Sequence, residues 1–221
     1  MSASPAFSVR EALIAAQPPA DRLREALRVC SDYLDQHSLA VVLGSLLEGE
    51  ANRQIVARAT SGPVHVGFVF PFTGVHRETV VELAGAAGFS ASQICVPSAI
   101  LARELGQRSH ARELPTLLFH GQRADGASVE VFIPEATTSS LASAWIAEEV
   151  GTHVGLTLAA PELLPAARKA LAAEGFGMPA FMNDEGMDNR ERNVTGYFFD
   201  RMLAGRSIRF EILKTGLRRA E

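Results

Sequence analysis

The chain has 221 residues, 47% hydrophobic and 21% charged, with a formal net charge of −4. This is globular composition with enough apolar residues for a core, and the length allows one large domain or two small ones. The acidic balance offers no footprint for nucleic acid, no basic run marks a membrane surface, and no stretch of about 18 apolar residues predicts a transmembrane helix.

The opening M-S-A-S-P-A-F-S-V-R-E lacks a basic region followed by an apolar one, so no secretory signal is expected. Cys30 and Cys95 match no metal or redox spacing. They are expected as reduced thiols of a cytoplasmic protein, in which the N-V-T sequon at 193–195 is incidental.

Residues 8–60 read as helical, with a break at Pro18-Pro19. After Asp21, the apolar residues Leu23, Ala26, Leu27, Cys30 and Leu34 fall on one helical face. Ser38 is placed to cap a further helical run, L-A-V-V-L-G-S-L-L-E-G-E-A-N-R-Q-I-V-A-R-A. These helices carry no recognisable chemistry and are expected to be a cover or an oligomer surface, so a homodimer is a possible assembly.

From residue 63 the character changes. V-H-V-G-F-V-F (64–70) is β-branched and aromatic between Gly62-Pro63 and Pro71, and predicts a strand. H-R-E-T-V-V-E-L-A-G-A-A-G-F (76–89) predicts an amphipathic helix ending at Gly88. A looser stretch follows, with a helix at A-I-L-A-R-E-L. Then L-P-T-L-L-F-H-G and S-V-E-V-F-I-P read as two strands joined by a hairpin at Ala124-Asp125-Gly126.

A similar order returns from residue 150. T-H-V-G-L-T-L (152–158) is a strand, P-E-L-L-P-A-A-R-K-A-L-A-A-E-G-F (161–176) a helix, and N-D-E-G-M-D-N-R-E-R a polar loop. Two strands close the chain, N-V-T-G-Y-F-F-D and S-I-R-F-E-I-L, about a turn near Ala204-Gly205. Phe89 follows His65 by 24 positions and Phe176 follows His153 by 23, both in Gly-Phe. The pattern is an internal duplication of a βαβββ module. It divides the chain into a helical extension (1–62), a first module (63–140) and a second (141–221), within one compact domain.

Each module opens on a histidine strand and closes on a glutamate strand: His65 with Glu130, and His153 with Glu211. A lone histidine on an apolar strand is ordinarily a satisfied core residue. Two at duplicated positions, each matched by a glutamate, point instead to a divalent metal held by His65, Glu130, His153 and Glu211. Residues two apart share a strand face, so Gly67 and Gly155 leave a gap beside each histidine. Arg209 shares the face of Glu211 and is a candidate clamp for a substrate carboxylate, unless it reaches the rim or pairs with Glu211. Glu130 is a ligand or proton-transfer group, unless it is an edge-strand carboxylate facing solvent. His37, His76, His110 and His120 lack a repeat partner and are expected at surface or rim positions.

The arrangement resembles the vicinal oxygen chelate superfamily, whose paired βαβββ modules curl around a central metal with ligands on first and last strands. H-V-G-L-T-L and R-F-E-I-L are similar to its opening and closing strands, and the likeness covers roughly residues 63–214. It implies an α+β fold: two tandem modules in a curved sheet around a metal, preceded by N-terminal helices.

Within that superfamily two families are similar in different ways. The 2-oxoadipate dioxygenase/decarboxylase (hydroxyglutarate synthase) family is resembled through the helical N-terminus, the Gly-aromatic helix end and F-I-P-E (132–135). That resemblance implies Fe(II) on His65, His153 and Glu211, a small 2-oxo or hydroxy acid and O₂ as substrates, and Arg209 on the acid's carboxylate. Glyoxalase I and its isomerase and epimerase relatives imply instead four ligands, with Glu130 added, and proton transfer through an enediolate. Zn, Mn, Ni and Co also suit these ligands. A metal-free small-molecule binder is the third reading, against which the two His-Glu pairs argue.

Overall fold

The computed structural model describes residues 7–179, 186–189, 193–203 and 206–215. Helices α1 (Arg10–Ile14), α2 (Pro19–Gln36), α3 (Leu39–Leu46) and α4 (Glu50–Ala59) come first. Then follow β1 (Thr60–Val69), α5 (Arg77–Ala86), β2 (Ser90–Pro97), α6 (Ala99–Arg108), β3 (Thr116–Gln122), β4 (Ser128–Pro134) and α7 (Ser139–Ala147). The last part holds β5 (His153–Leu158), a 3-10 turn (Pro161–Leu163), α8 (Leu164–Ala173), β6 (Met187–Asn189), β7 (Val194–Leu203) and β8 (Arg206–Thr215). The fold is α+β, with eight strands hydrogen-bonded in the order β2-β3-β4-β1-β5-β8-β7-β6. No helix among the described residues is long and apolar enough to cross a membrane.

Two compact units divide the chain. One comprises residues 8–35 and 65–152. Its β1 runs parallel to β4, while β3 is antiparallel to both β4 and β2. In α2 the buried residues are Leu23, Ala26, Leu27, Cys30 and Leu34, the face that the spacing predicts. Burial pushes the Cys30 thiol well above its usual range, which makes it an inert core residue. The β3–β4 turn forms at Arg123–Ala127, where Gly126 takes φ 89° and the Asp125 side chain accepts the Ala127 N–H at 3.0 Å. Arg123 ties this turn to the end of α2, donating to the Ser31 carbonyl and the Asp35 carboxylate.

The other unit comprises residues 36–64 and the chain from 153 on, with α3, α4 and α8 beside β5, β8, β7 and β6. Its pairing repeats that of the first: β5 is parallel to β8, and β7 is antiparallel to both β8 and β6. The run expected as one helix from residue 39 to 59 is broken, because Leu47 is extended and Gly49 caps a new helix. The cause is distant in sequence. Glu174, at the end of α8, accepts the backbone N–H groups of Glu48 and Gly49 and the Asn52 amide, at 2.8, 3.0 and 2.6 Å. A carboxylate at a helix N-terminus satisfies otherwise orphaned donors there.

The repeated Gly-Phe has a physical basis. After α5, Gly88 takes φ 87°, its N–H reaches the Gly85 carbonyl and the Phe89 N–H reaches Ala84. After α8, Gly175 takes φ 84°, its N–H reaches Ala172 and the Phe176 N–H reaches Leu171. Both are Schellman caps, in which glycine supplies the left-handed residue and the following phenylalanine buries against the helix end. Two further differences from the sequence reading concern strands: β2 occupies the looser stretch, and β6 lies within the expected polar loop. The turn near Ala204-Gly205 lies outside the described residues.

Candidate metal centre

In the unit that begins its sheet at β5, the parallel register sets Gly155 beside Glu211. The antiparallel register then sets Glu211 beside Phe198 and Arg209 beside Asp200. Direct cross-strand partners share a face, as do residues two apart on one strand. His153, Gly155, Glu211, Arg209, Phe198 and Asp200 therefore lie on one face. His153 Nε2 is 3.2 Å from Glu211 Oε2, and both residues are 2% exposed. The His153 ring meets the Phe198 ring edge-on, with centroids 5.7 Å apart.

Arg209 is 6% exposed, and its guanidinium lies 5.2 Å from the Phe198 ring centre. Its Nε and Nη2 donate to the two oxygens of Asp200 at 2.7 and 2.9 Å. This two-pronged bond fixes the plane of the guanidinium. Asp200 was not singled out in the sequence. The signal for it was the hairpin, which sets the last residue of G-Y-F-F-D against Arg209.

The other unit builds the same pattern on β1, β4 and β3. Gly67 lies beside Glu130, Glu130 beside His120, and His65 beside Ser128. Glu130 is 2% exposed and β4 lies between β3 and β1, so the solvent-facing edge-strand alternative for Glu130 does not hold. His120 is half-buried and shares Glu130's face, a neighbour that its position near a strand end did not announce. Of the remaining histidines, His37 is half-buried and His76 and His110 are exposed.

Among the described residues, His65, His153 and Glu211 form a buried group whose ligand-capable atoms all lie within 4.8 Å of one another. Glu130 is not a member of this group. Two imidazoles and a carboxylate are a donor set for a borderline divalent metal. The 3.2 Å from His153 Nε2 to Glu211 Oε2 suits two ligands about 2.1 Å from one ion, about 100° apart. The three residues thus fit a metal in chemistry, and the His153–Glu211 pair fits one in spacing.

No family model matches this sequence. No curated protein matches it significantly. Solved structures do resemble it. A variant of Streptomyces coelicolor methylmalonyl-CoA epimerase, in complex with 2-nitronate-propionyl-CoA, is 14% identical with a TM-score of 0.40, over 69% of this chain and 96% of its own. The Mycobacterium tuberculosis methylmalonyl-CoA epimerase is 13% identical with a TM-score of 0.43, over 72% and 91%. A triple mutant of Streptomyces coelicolor 4-hydroxymandelate synthase is 11% identical with a TM-score of 0.43, over 72% of this chain and 48% of its own. All three are distant likenesses.

Proposed function

We propose that the chain is a metal-dependent enzyme of the vicinal oxygen chelate type, an Fe(II)-dependent dioxygenase acting on a small 2-oxo or hydroxy acid. The supporting observation is the composition of the buried group: two histidines and one glutamate, with Glu130 apart. Two imidazoles and one carboxylate are the donor set of non-haem Fe(II) oxygenases, which keep several positions open. When bound, Fe(II) supplies the electrons and open positions that bring an acid and O₂ together. One 2-oxo acid and one O₂ then give one CO₂ and a hydroxy acid one carbon shorter.

The chain's own residues have distinct tasks in this reading. His65, His153 and Glu211 hold the ion, and Phe198 steadies the His153 ring through its edge contact. Arg209 supplies the positive charge that receives the substrate carboxylate, with Asp200 fixing the orientation of its fork. Gly155, beside Glu211, leaves room on the substrate side of the ligands.

A second reading draws on the burial of Glu130. A buried carboxylate on the face of His65 suits proton transfer through an enediolate, as in an isomerase or epimerase. Anaerobic Fe(II) affinity of the wild type and Glu130→Ala separates the two. Equal affinities are expected for the dioxygenase, with O₂ uptake following when 2-oxo acids are screened. A collapse in the variant makes Glu130 a fourth ligand and turns the assignment to the isomerase.

A further inference from the structure

The two units repeat one arrangement and differ in the side chain that stands beside the closing glutamate. Gly67, Glu130 and His120 stand side by side across β1, β4 and β3. Gly155, Glu211 and Phe198 stand side by side across β5, β8 and β7. In both cases the glycine follows the strand's histidine by two residues. The backbone therefore gives Glu130 and Glu211 the same starting position relative to their own histidine. Only Glu211 belongs to the ligand group, although both glutamates are 2% exposed.

Burial does not separate the two glutamates, but the next side chain does. A phenyl ring offers Glu211 no hydrogen-bond donor, whereas an imidazole offers Glu130 an N–H. A buried carboxylate is costly unless donors within reach satisfy it. Residues opposed on antiparallel strands have Cβ atoms about 4.5–5.5 Å apart, a span that a glutamate and a histidine bridge easily. We infer that His120 is a positioning residue that draws the Glu130 carboxylate toward β3 and keeps it out of the metal's ligand set. One side chain, at the position that Phe198 fills in the other unit, thus sets three protein ligands instead of four. The position left open is one that a bidentate acid and a further small molecule need together. This inference rests on the metal-centre reading above.

Co(II) binding to the full chain tests it, by competition with a chromophoric chelator and by the visible d–d spectrum. His120→Phe is expected to bind Co(II) about tenfold to a hundredfold more tightly, as a fourth ligand joins, and to change the spectrum. His120→Leu, measured alongside, removes the donor without adding a larger ring and is expected to do the same. His120→Asn keeps a donor and is expected to match the wild type. Adding Glu130→Gln to His120→Phe is expected to restore wild-type affinity and spectrum. If the apolar variants match the wild type, or keep their gain in the double variant, the role of His120 is overturned. A wild type that holds no Co(II) overturns the metal-centre reading and this inference together. A wild type that binds Co(II), a His153→Ala that does not, and apolar His120 variants without effect overturn the inference alone.

Discussion

Glu211 Oε2 stands 3.2 Å from His153 Nε2, although the residue directly beside Glu211 on β5 is Gly155. The contact is therefore diagonal, across two parallel strands. Parallel pairing of first and last strands makes this diagonal available in both units. It joins two residues 58 positions apart in sequence as two of the three members of the buried group.

In the proposed function, a divalent metal held by this pair and His65 would stabilise the native state by mass action. At about a hundred times its Kd the gain is about 2.7 kcal/mol, or about 5–10 °C in Tm for a chain of this size. The expected result is such a shift in the wild type and none in His153→Ala or Glu211→Gln. His153→Ala also removes a buried ring that packs on Phe198, so metal-free protein is expected to lose about 2–5 kcal/mol. Thermal unfolding with and without metal reads both effects.

Arg209 and Asp200 form a pair of another kind. The Arg209 side chain is 6% exposed and that of Asp200 26%, so the bond is sheltered on one side only. Asp200→Ala removes both acceptors of the fork and is expected to cost about 1–3 kcal/mol. Arg209→Leu and the double variant complete a cycle whose total is expected to fall short of the sum of the single changes. Urea unfolding measures it, with a lower midpoint and an unchanged slope marking a stability effect.

The register that sets His120 against Glu130 is established at the β3–β4 turn. A slip of one residue turns every side chain of a strand to the other face, which would carry Glu130 away from that of His65. Gly126 holds φ 89° in this turn, a conformation that alanine adopts only under strain. Gly126→Ala is expected to cost about 1 kcal/mol or more, opposite in sign to the gain at a compatible glycine. Chemical denaturation measures the loss, and amide exchange along β4 reports whether the strand loosens.

What was legible in the sequence follows from how local its cause is. The buried face of α2 follows from spacing alone, and all five of its residues match. The bounds of β4 match because the Asp125-Gly126 turn marks its start and Pro134 its end. The duplication was readable because His-x-Gly and the Gly-Phe caps are local patterns. The break between α3 and α4 was not, since Glu174 imposes it from 125 residues away. Strand β2 escaped because S-A-S-Q-I-C-V-P alternates poorly and its pairing with β3 shifts register twice. In the candidate site, the histidines and closing glutamates were visible as types. Asp200 and His120 were not, because their places depend on cross-strand register.

Glu174 provides the last prediction. Hydrogen bonds from the Asn52 amide and the Glu48 and Gly49 N–H groups hold its carboxyl below the usual carboxylate range. A folded-state pKa lower than the unfolded one contributes stability above the unfolded value, and that contribution is lost as pH falls through the folded value. Glu174→Gln is expected to be less stable than the wild type by about 1 kcal/mol at neutral pH, as for loss of a helix cap. The difference is expected to shrink as pH falls through the unfolded 4.5 and on through the lower folded value, because the wild type then protonates as well. Gly49→Ala acts on the same contact from the other side, since its Cβ would sit 2.6 Å from Glu174 Oε1 and displace the carboxylate. Urea midpoints of the three proteins from pH 3 to 8 read the effect, and parallel wild-type and Glu174→Gln curves would refute it.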